Sequence, residues 1–126
     1  MDTQELNERV AAEVMGYTHD GFRWSRQEQR HSDELGDYKY TDILYGGLPN
    51  YSGDIAAAWL VVEEMPRRGV RLASLGQYED METWCAIFAI RNPLLTVGVG
   101  DGNTAPSAIC RAALDIYKKL NVSDNC

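Results

Sequence analysis

The chain has 126 residues, of which 44% are hydrophobic and 25% are charged. These values predict one globular domain over residues 1–126 and exclude a chain that is disordered along most of its length. The formal net charge of −7 disfavours a protein that coats DNA or RNA, and the sequence has no apolar run long enough to span a bilayer.

The first third of the chain predicts a helix followed by strands. Hydrophobic spacing favours a helix over residues 3–15. Asp2 and Glu5 resemble a capping box at its start, and Gly16 ends the pattern. The following segments predict a strand or short hairpin, then an exposed polar loop, then a strand, over residues 17–26, 27–36 and 37–44.

The rest of the chain predicts two further helices with three strands between them. Helix 2 is expected over residues 54–65, with an inner face formed by Ile55, Ala58, Trp59 and Val62. The strands are expected over residues 70–75, 83–91 and 94–99. Helix 3 is expected from about residue 104 to residue 120, with a buried stripe of Ile109, Ala112, Ala113, Ile116 and Leu120. Because helices and strands do not alternate regularly, we expect an α+β fold with a mainly antiparallel sheet and three helices.

The most distinctive segment is GVGDGNTAPSAICRAAL, residues 98–114, in which three glycines run into a helix start. Thr104 is suited to cap this helix, and the missing N–H of Pro106 costs nothing in the first turn. Together with Asn103, this start predicts an anion site in a glycine-lined loop. The alternative is that the glycines only make a tight turn. No lysine follows them, so the segment is not a nucleotide-hydrolysing phosphate loop.

Arg111 and Trp84 are the side chains best placed to help such a site. Helical spacing directs Arg111 away from the apolar stripe, although an exposed pair with Asp115 would explain it equally well. Trp84 and Phe88 share one face of a strand, where core packing is the alternative to stacking on a base. The sequence also has nine arginines against three lysines, which favours phosphate recognition weakly.

Neither a catalytic nor a metal site is predicted. His19 lies beside Asp20 but lacks a recognisable nucleophile motif, and His31 lies in the predicted polar loop. Three unpaired cysteines, Cys85, Cys110 and Cys126, suggest neither a disulfide framework nor a zinc cluster. Cys85 and Cys110 are expected in the core. We therefore expect a protein without enzymatic activity, cofactor or metal.

Three sequence blocks resemble the phage ABA sandwich domain proteins. These blocks are VAAEVMGYT, PNYSGDIAAAWLVVEEM and NTAPSAICRAAL, and they are spread over nearly the whole chain. The resemblance implies an α/β/α sandwich from a phage or prophage. It does not supply a function, because many members have no assigned role.

One phage group of similar size and layout has a role: the anti-Thoeris sponges. They sequester cyclic ADP-ribose isomers such as glycocyclic ADP-ribose, and some hold cyclic di- or trinucleotides, as a homo-oligomer (dimer or hexamer) in the host bacterial cytoplasm. The resemblance implies that Trp84 stacks on the base, that Arg111 holds phosphate and that Asn92 reads a base or ribose edge. Arg23 and Arg91 are candidates for further phosphate contacts.

Sequestration of such a signal without cleavage is therefore the leading hypothesis. One alternative is a phosphodiesterase that degrades the signal, for which His19 and Asp20 are the first candidates. Another is a phage accessory or interaction protein without a small ligand. Neither membranes nor nucleic-acid polymers are expected as partners.

Overall fold

The computed structural model describes residues 2–90 and 95–124. In these residues the α-helices are α1 (Thr3–Arg9), α2 (Ile55–Glu64) and α3 (Ala105–Asp124). A π-helical turn (Val10–Val14) extends α1, and a 3-10 turn (Met65–Arg68) extends α2. The three predicted helices are thus confirmed. None of the described helices is both long and apolar enough to cross a bilayer.

The strands form two antiparallel sheets of three strands each. The first sheet has the order β1 (Thr18–His19), β2 (Trp24–Ser32) and β3 (Gly36–Ile43). The second has the order β4 (Val70–Gln77), β5 (Trp84–Ile90) and β6 (Leu95–Gly102). Together with the helices, these sheets confirm the predicted α+β sandwich.

The core lies between the helices and one face of the second sheet. Ala86 and Phe88 of β5 are fully buried on this face. The predicted stripe of α3 is confirmed for its described members, since Ile109, Ala112, Ala113 and Ile116 are buried. The side chain of Leu120 lies outside the described part of the chain. Cys110 is fully buried as expected, whereas Cys85 is only half-buried.

The buried face of α2 differs from the prediction. Ala57 and Val61 are buried together with Ala58, but Ile55 is 50% exposed and Trp59 is 45% exposed. Residues 55–62 are all apolar, so their periodicity could not identify one inner face. The small side chains of Ala57 and Ala58 lie inward, where α2 packs on α3.

A β-hairpin occupies most of the segment predicted as a loop, residues 27–36. β2 pairs with β3 along its length, and the far half of this hairpin is largely exposed on both faces. The Arg30 guanidinium lies 3.6 Å from the centroid of the Tyr40 ring, and His31 Nδ1 lies 2.9 Å from Asp37 Oδ1. Such cross-strand pairs stabilise a ribbon that buries little apolar surface. The loop prediction was wrong because it relied on a hydrophobic period that this strand does not need.

Arg26 ties the base of the hairpin to the helices. Its side chain is only 15% exposed, and its Nη1 donates to the Met15 carbonyl oxygen at 2.9 Å. The same guanidinium lies 2.8 Å from Glu28, 3.5 Å from Asp42 and 3.6 Å from Glu64. The hairpin is therefore anchored by contacts to both the end of α1 and the end of α2.

Candidate functional site

The alternate glycines at positions 98, 100 and 102 lie in β6 and face α3. A Cβ atom at Gly98 would lie 2.5 Å from the Ala112 carbonyl oxygen, and one at Gly100 would lie 2.6 Å from the Ala108 carbonyl oxygen. The prediction of a glycine-lined loop was therefore wrong. A spacing of two residues places the glycines on one face of a strand, where they let the helix backbone approach.

The predicted start of α3 is confirmed. Thr104 Oγ1 accepts a hydrogen bond from the Ser107 N–H at 3.3 Å, as a capping residue does. Pro106 lies in the first turn, where its missing N–H leaves no bond unmade. Because β6 runs almost directly into this helix, the amino end of α3 is fixed at one edge of the second sheet.

A cavity of about 530 Å³ lies at this helix start. It is bordered by the first residues of α1, by the segment that precedes α2, by the end of β6 and by the first turns of α3. Its lining residues are Asp2, Thr3, Leu6, Ser52, Gly53, Thr83, Asp101, Gly102, Asn103, Thr104, Ser107 and Arg111. Most of these residues are polar, and many carry a hydroxyl or a carboxylate.

Asn7 holds two borders of this cavity together. Its Oδ1 accepts hydrogen bonds from the backbone N–H and the hydroxyl of Ser52, both at 2.8 Å. Its Nδ2 donates to Asn50 Oδ1 at 3.0 Å. These bonds join α1 to the segment before α2, so the cavity wall is built by fixed elements.

Arg111 is the cationic side chain of the cavity. It is exposed, as the helical spacing predicted, and its Nε donates to Ser107 Oγ at 3.3 Å. This bond directs the guanidinium towards the amino end of α3. Arg111 also lines an adjacent hollow of about 310 Å³ with Arg9 and Asp115. Asp115 Oδ2 accepts from the Val99 N–H at 3.0 Å, so this carboxylate contacts the edge of β6.

Two carboxylates share the cavity with the guanidinium of Arg111, so the described lining has a formal charge of −1. Asp2 Oδ1 accepts from the Glu5 N–H at 2.8 Å, which confirms the predicted cap of α1. Asp101 Oδ1 accepts from the Tyr78 hydroxyl at 2.9 Å. Hydrogen bonds with Cys85 and with Asp101 raise the pKa of the Tyr78 phenol above its ordinary value. The cavity therefore combines one cation with groups that accept hydrogen bonds from hydroxyls.

The structure brings together some of the predicted site residues. Asn103, Thr104 and Arg111 line the same cavity. Trp84 lies beside it, because its neighbour Thr83 and its strand partner Gly102 belong to the lining. The Trp84 side chain itself is half-buried against the core, on the same face as Phe88.

The remaining predicted site residues are Arg23, Arg91 and Asn92. Arg91 and Asn92 lie outside the described residues. Arg23 lines a different hollow, formed by the turn between β1 and β2 and by the segment after β3.

His19 and Asp20, the pair considered for catalysis, lie at that same turn. His19 Nδ1 accepts from the Gly21 N–H at 3.2 Å, and Asp20 Oδ1 accepts from the backbone N–H groups of Phe22 and Arg23 at 2.9 Å and 3.0 Å. Those bonds to Phe22 and Arg23 lower the pKa of the Asp20 carboxyl. Both side chains thus shape the turn. Across residues 2–90 and 95–124, no group of three His, Cys, Asp or Glu side chains is arranged to hold a metal ion.

Sequence reasoning missed the part of the cavity that comes from distant segments. Thr3, Ser52 and Thr83 carry no motif of their own, and they meet the start of α3 only after folding. The signal in the sequence that pointed to this cavity was the two helix starts, since Asp2 and Thr104 were both predicted as caps. It did not show that these starts share one cavity.

The comparisons with known proteins match this architecture to a family. Residues 8–114 match the model of the phage ABA sandwich domain family. Comparisons with curated proteins and with solved structures give no match. The matched region runs from α1 into α3 and includes both sheets. With most of its length matched, the chain belongs to the phage ABA sandwich domain family.

Proposed function

We propose that this protein binds a small cyclic nucleotide signal of the cyclic ADP-ribose type and sequesters it without cleaving it. The observation that carries the proposal is that Arg111 and the capped start of α3 share one cavity of about 530 Å³. That volume lies within the range of roughly 300–1,000 Å³ usual for small-molecule sites. Membership of a phage family is consistent with a role against host defence.

Phosphate is the group that we assign to Arg111 and the start of α3. A guanidinium binds two phosphate oxygens through parallel N–H bonds, which a lysine cannot do. Backbone N–H groups in the first turn of a long helix add donors and the positive end of the helix dipole. Asn103 lies at this end of the cavity and is positioned to contribute its amide.

Ribose hydroxyls are the groups that we assign to the acidic side of the cavity. Asp2 and Asp101 carry carboxylate oxygens that accept hydrogen bonds from hydroxyls, and Ser52 and Thr83 add donor–acceptor groups. A ligand with both phosphates and ribose hydroxyls matches a cavity that has Arg111 on one side and two carboxylates on the other. Inorganic phosphate could contact Arg111 and the start of α3, but it would leave the two carboxylates without ribose hydroxyls as partners.

The base is assigned to Trp84. Stacking would use the part of its indole that the core does not cover, since Trp84 is only partly buried where it packs against the core. Arg23 lines another hollow and is not included in this proposal. Because the anti-Thoeris sponges that the chain resembles are homo-oligomers, assembly into a dimer or hexamer in the host cytoplasm is part of the proposal.

The test is binding and recovery of the signal. The purified protein is titrated with a panel of cyclic ADP-ribose isomers and cyclic oligonucleotides by isothermal calorimetry, then heated, and the released small molecule is analysed by mass spectrometry. We expect one class to bind and to be released intact. A charge-assisted hydrogen bond contributes about 1.5–3 kcal/mol, so Arg111→Ala should weaken binding about 10- to 100-fold.

The matched control is Arg67→Ala, which removes the same charge from an exposed arginine that pairs with Glu64 at 3.7 Å. It should bind like the wild type, and both variants should melt at the wild-type temperature. Recovery of a cleaved product would favour a phosphodiesterase. Absence of binding to every nucleotide, or equal losses in the two variants, would contradict the proposal.

A further inference from the structure

Phe22 is the most exposed large hydrophobic side chain in the described part of the chain, at 95%, and nearby Tyr45 is 85% exposed. Phe22 does not lie on a loose loop. Asp20 Oδ1 accepts from the N–H groups of Phe22 and Arg23, and the Asp20 N–H donates to the Arg23 carbonyl oxygen at 3.2 Å. The backbone of the turn is thus held in place, and it presents the phenyl ring to water at a free-energy cost that burial would remove.

A hollow of about 380 Å³ lies directly beside this ring. We call it the Phe22 hollow, and the residues that matter here are His19, Phe22, Trp24, Leu44, Tyr45 and Leu48. Trp24, Leu44 and Leu48 are partly buried and pack against the core, so they form an apolar floor. The His19 and Trp24 rings contact each other with centroids 5.1 Å apart. The exposed Phe22 side chain and the apolar Phe22 hollow therefore lie side by side on one surface.

We propose that this surface is a two-fold interface between two copies of the chain, in which Phe22 of each copy enters the Phe22 hollow of the other. A two-fold axis brings the same patch of both copies together. The patch must therefore carry both the projecting side chain and the recess that receives the same side chain of the other copy. Phe22 and the Phe22 hollow belong to one patch, as this requirement demands. The fixed turn also reduces the conformational entropy lost on association.

Local charge favours a second copy as the occupant. Two chains of net charge −7 repel each other over most of their surfaces. The Phe22 turn is different, because Asp20 and Arg23 carry opposite charges 4.0 Å apart and both are exposed. In a two-fold pairing around Phe22, Arg23 of one copy faces Asp20 of the other. The contact is electrostatically self-complementary.

The outer face of α2 is a second exposed apolar surface in the described part of the chain, and its charges argue against self-pairing. Ile55, Trp59 and Leu60 are each about half exposed there. Asp54 and Glu63 lie at the two ends of this face, and both are exposed acids. Pairing two copies through α2 would bring like charges together, which disfavours association.

The test is the oligomeric state without ligand, measured by sedimentation velocity over a wide range of protein concentration. We expect a dimer, and we expect Phe22→Ser to raise its dissociation constant roughly tenfold or more. The control is Leu35→Ser, which removes a 73% exposed leucine at the turn between β2 and β3. It should dimerise like the wild type. The circular dichroism spectrum should be unchanged in monomeric Phe22→Ser, and its melting temperature should match that of the wild type at concentrations where the wild type is also monomeric. These measurements separate a lost interface from a lost fold.

Three results would overturn the proposal. The first is a wild-type protein that is monomeric at every concentration. The second is a dimer that Phe22→Ser leaves as stable as in the wild type. The third is a dimer that Trp59→Ser abolishes and Phe22→Ser does not, which would assign the interface to α2. None of these results depends on whether the Arg111 cavity binds a nucleotide. A wild-type monomer would also remove the assembly part of the proposed function, but it would leave the ligand-binding part to be decided by calorimetry.

Discussion

The contact between β6 and α3 gives the sharpest stability prediction. Replacing Gly100 by alanine adds a Cβ that would meet the Ala112 amide nitrogen, with the Ala108 carbonyl oxygen at 2.6 Å and the Arg111 carbonyl carbon at 2.7 Å. All three are backbone atoms of one helix, so no side-chain rotation relieves the overlap. The helix and strand must separate by about 1 Å to restore ordinary van der Waals distances.

The size of the effect follows from that overlap. Adding a methyl group to a tightly packed interior costs about 1–3 kcal/mol, and a clash with backbone on three sides belongs at the upper end. We therefore expect Gly100→Ala to lower the free energy of unfolding by about 3 kcal/mol. For a chain of this length, such a loss lowers the melting temperature by about 10 °C.

The assay is thermal and urea unfolding followed by circular dichroism, with Gly76→Ala as the matched control. Gly76 also lies in a strand of the second sheet, but a Cβ there would meet nothing within 4 Å. This variant should stay within about 1 kcal/mol of the wild type. If Gly100→Ala melts within error of Gly76→Ala, the close approach of α3 to β6 is wrong.

Two further predictions concern Arg26 at the base of the hairpin and the ionisable side chains of Tyr51 and Cys110 in the core. Arg26→Met should lower the free energy of unfolding, measured with urea, by about 2–3 kcal/mol, because it removes the charge partner of partly buried carboxylates. The control is Arg30→Met, on the exposed part of the same strand, which should lower it by less than about 1 kcal/mol. Burial raises the pKa of Tyr51 and of Cys110 to about 12, from ordinary values of 10.0 and 9.0. Since the unfolded chain loses these protons first, stability should be unaffected by these groups below about pH 9 and should fall as the pH rises from 9 towards 12.

Each of the two has its own contradicting result. Equal unfolding midpoints for Arg26→Met and Arg30→Met would show that the contacts of Arg26 stabilise the fold no more than an exposed ion pair does. For the alkaline prediction, urea midpoints are compared at pH 8 and pH 11. A midpoint that is the same or higher at pH 11 would show that the two groups titrate in the folded protein as they do in water.

The sequence predicted the fold where local chemistry and burial agree. Asp2 and Thr104 cap their helices as expected, and the apolar stripe of α3 is buried where it is described. The inner face of α2 was predicted wrongly because Ile55 and Trp59 are as apolar as the residues that are buried. The hairpin was missed because cross-strand pairs such as Arg30 with Tyr40 have no period in hydrophobicity.

The candidate site was predicted only in its local part. Asn103 and Thr104 directly precede α3, and Arg111 lies about two turns into it, so local spacing alone relates them. The glycines were misplaced because alternate glycines suit both a loop and a strand against a helix. Their match to Ala108 and Ala112, one turn apart on α3, was the signal that favoured the strand.

The anchoring of the hairpin by Arg26 has a practical consequence for labelling experiments. The hairpin is attached to the rest of the protein at its base, where the Arg26 guanidinium contacts Met15 and Glu64. The turn near Leu35 is far along the ribbon from those contacts. A fluorophore or an affinity tag inserted at that turn would therefore report on the protein while leaving its interior undisturbed.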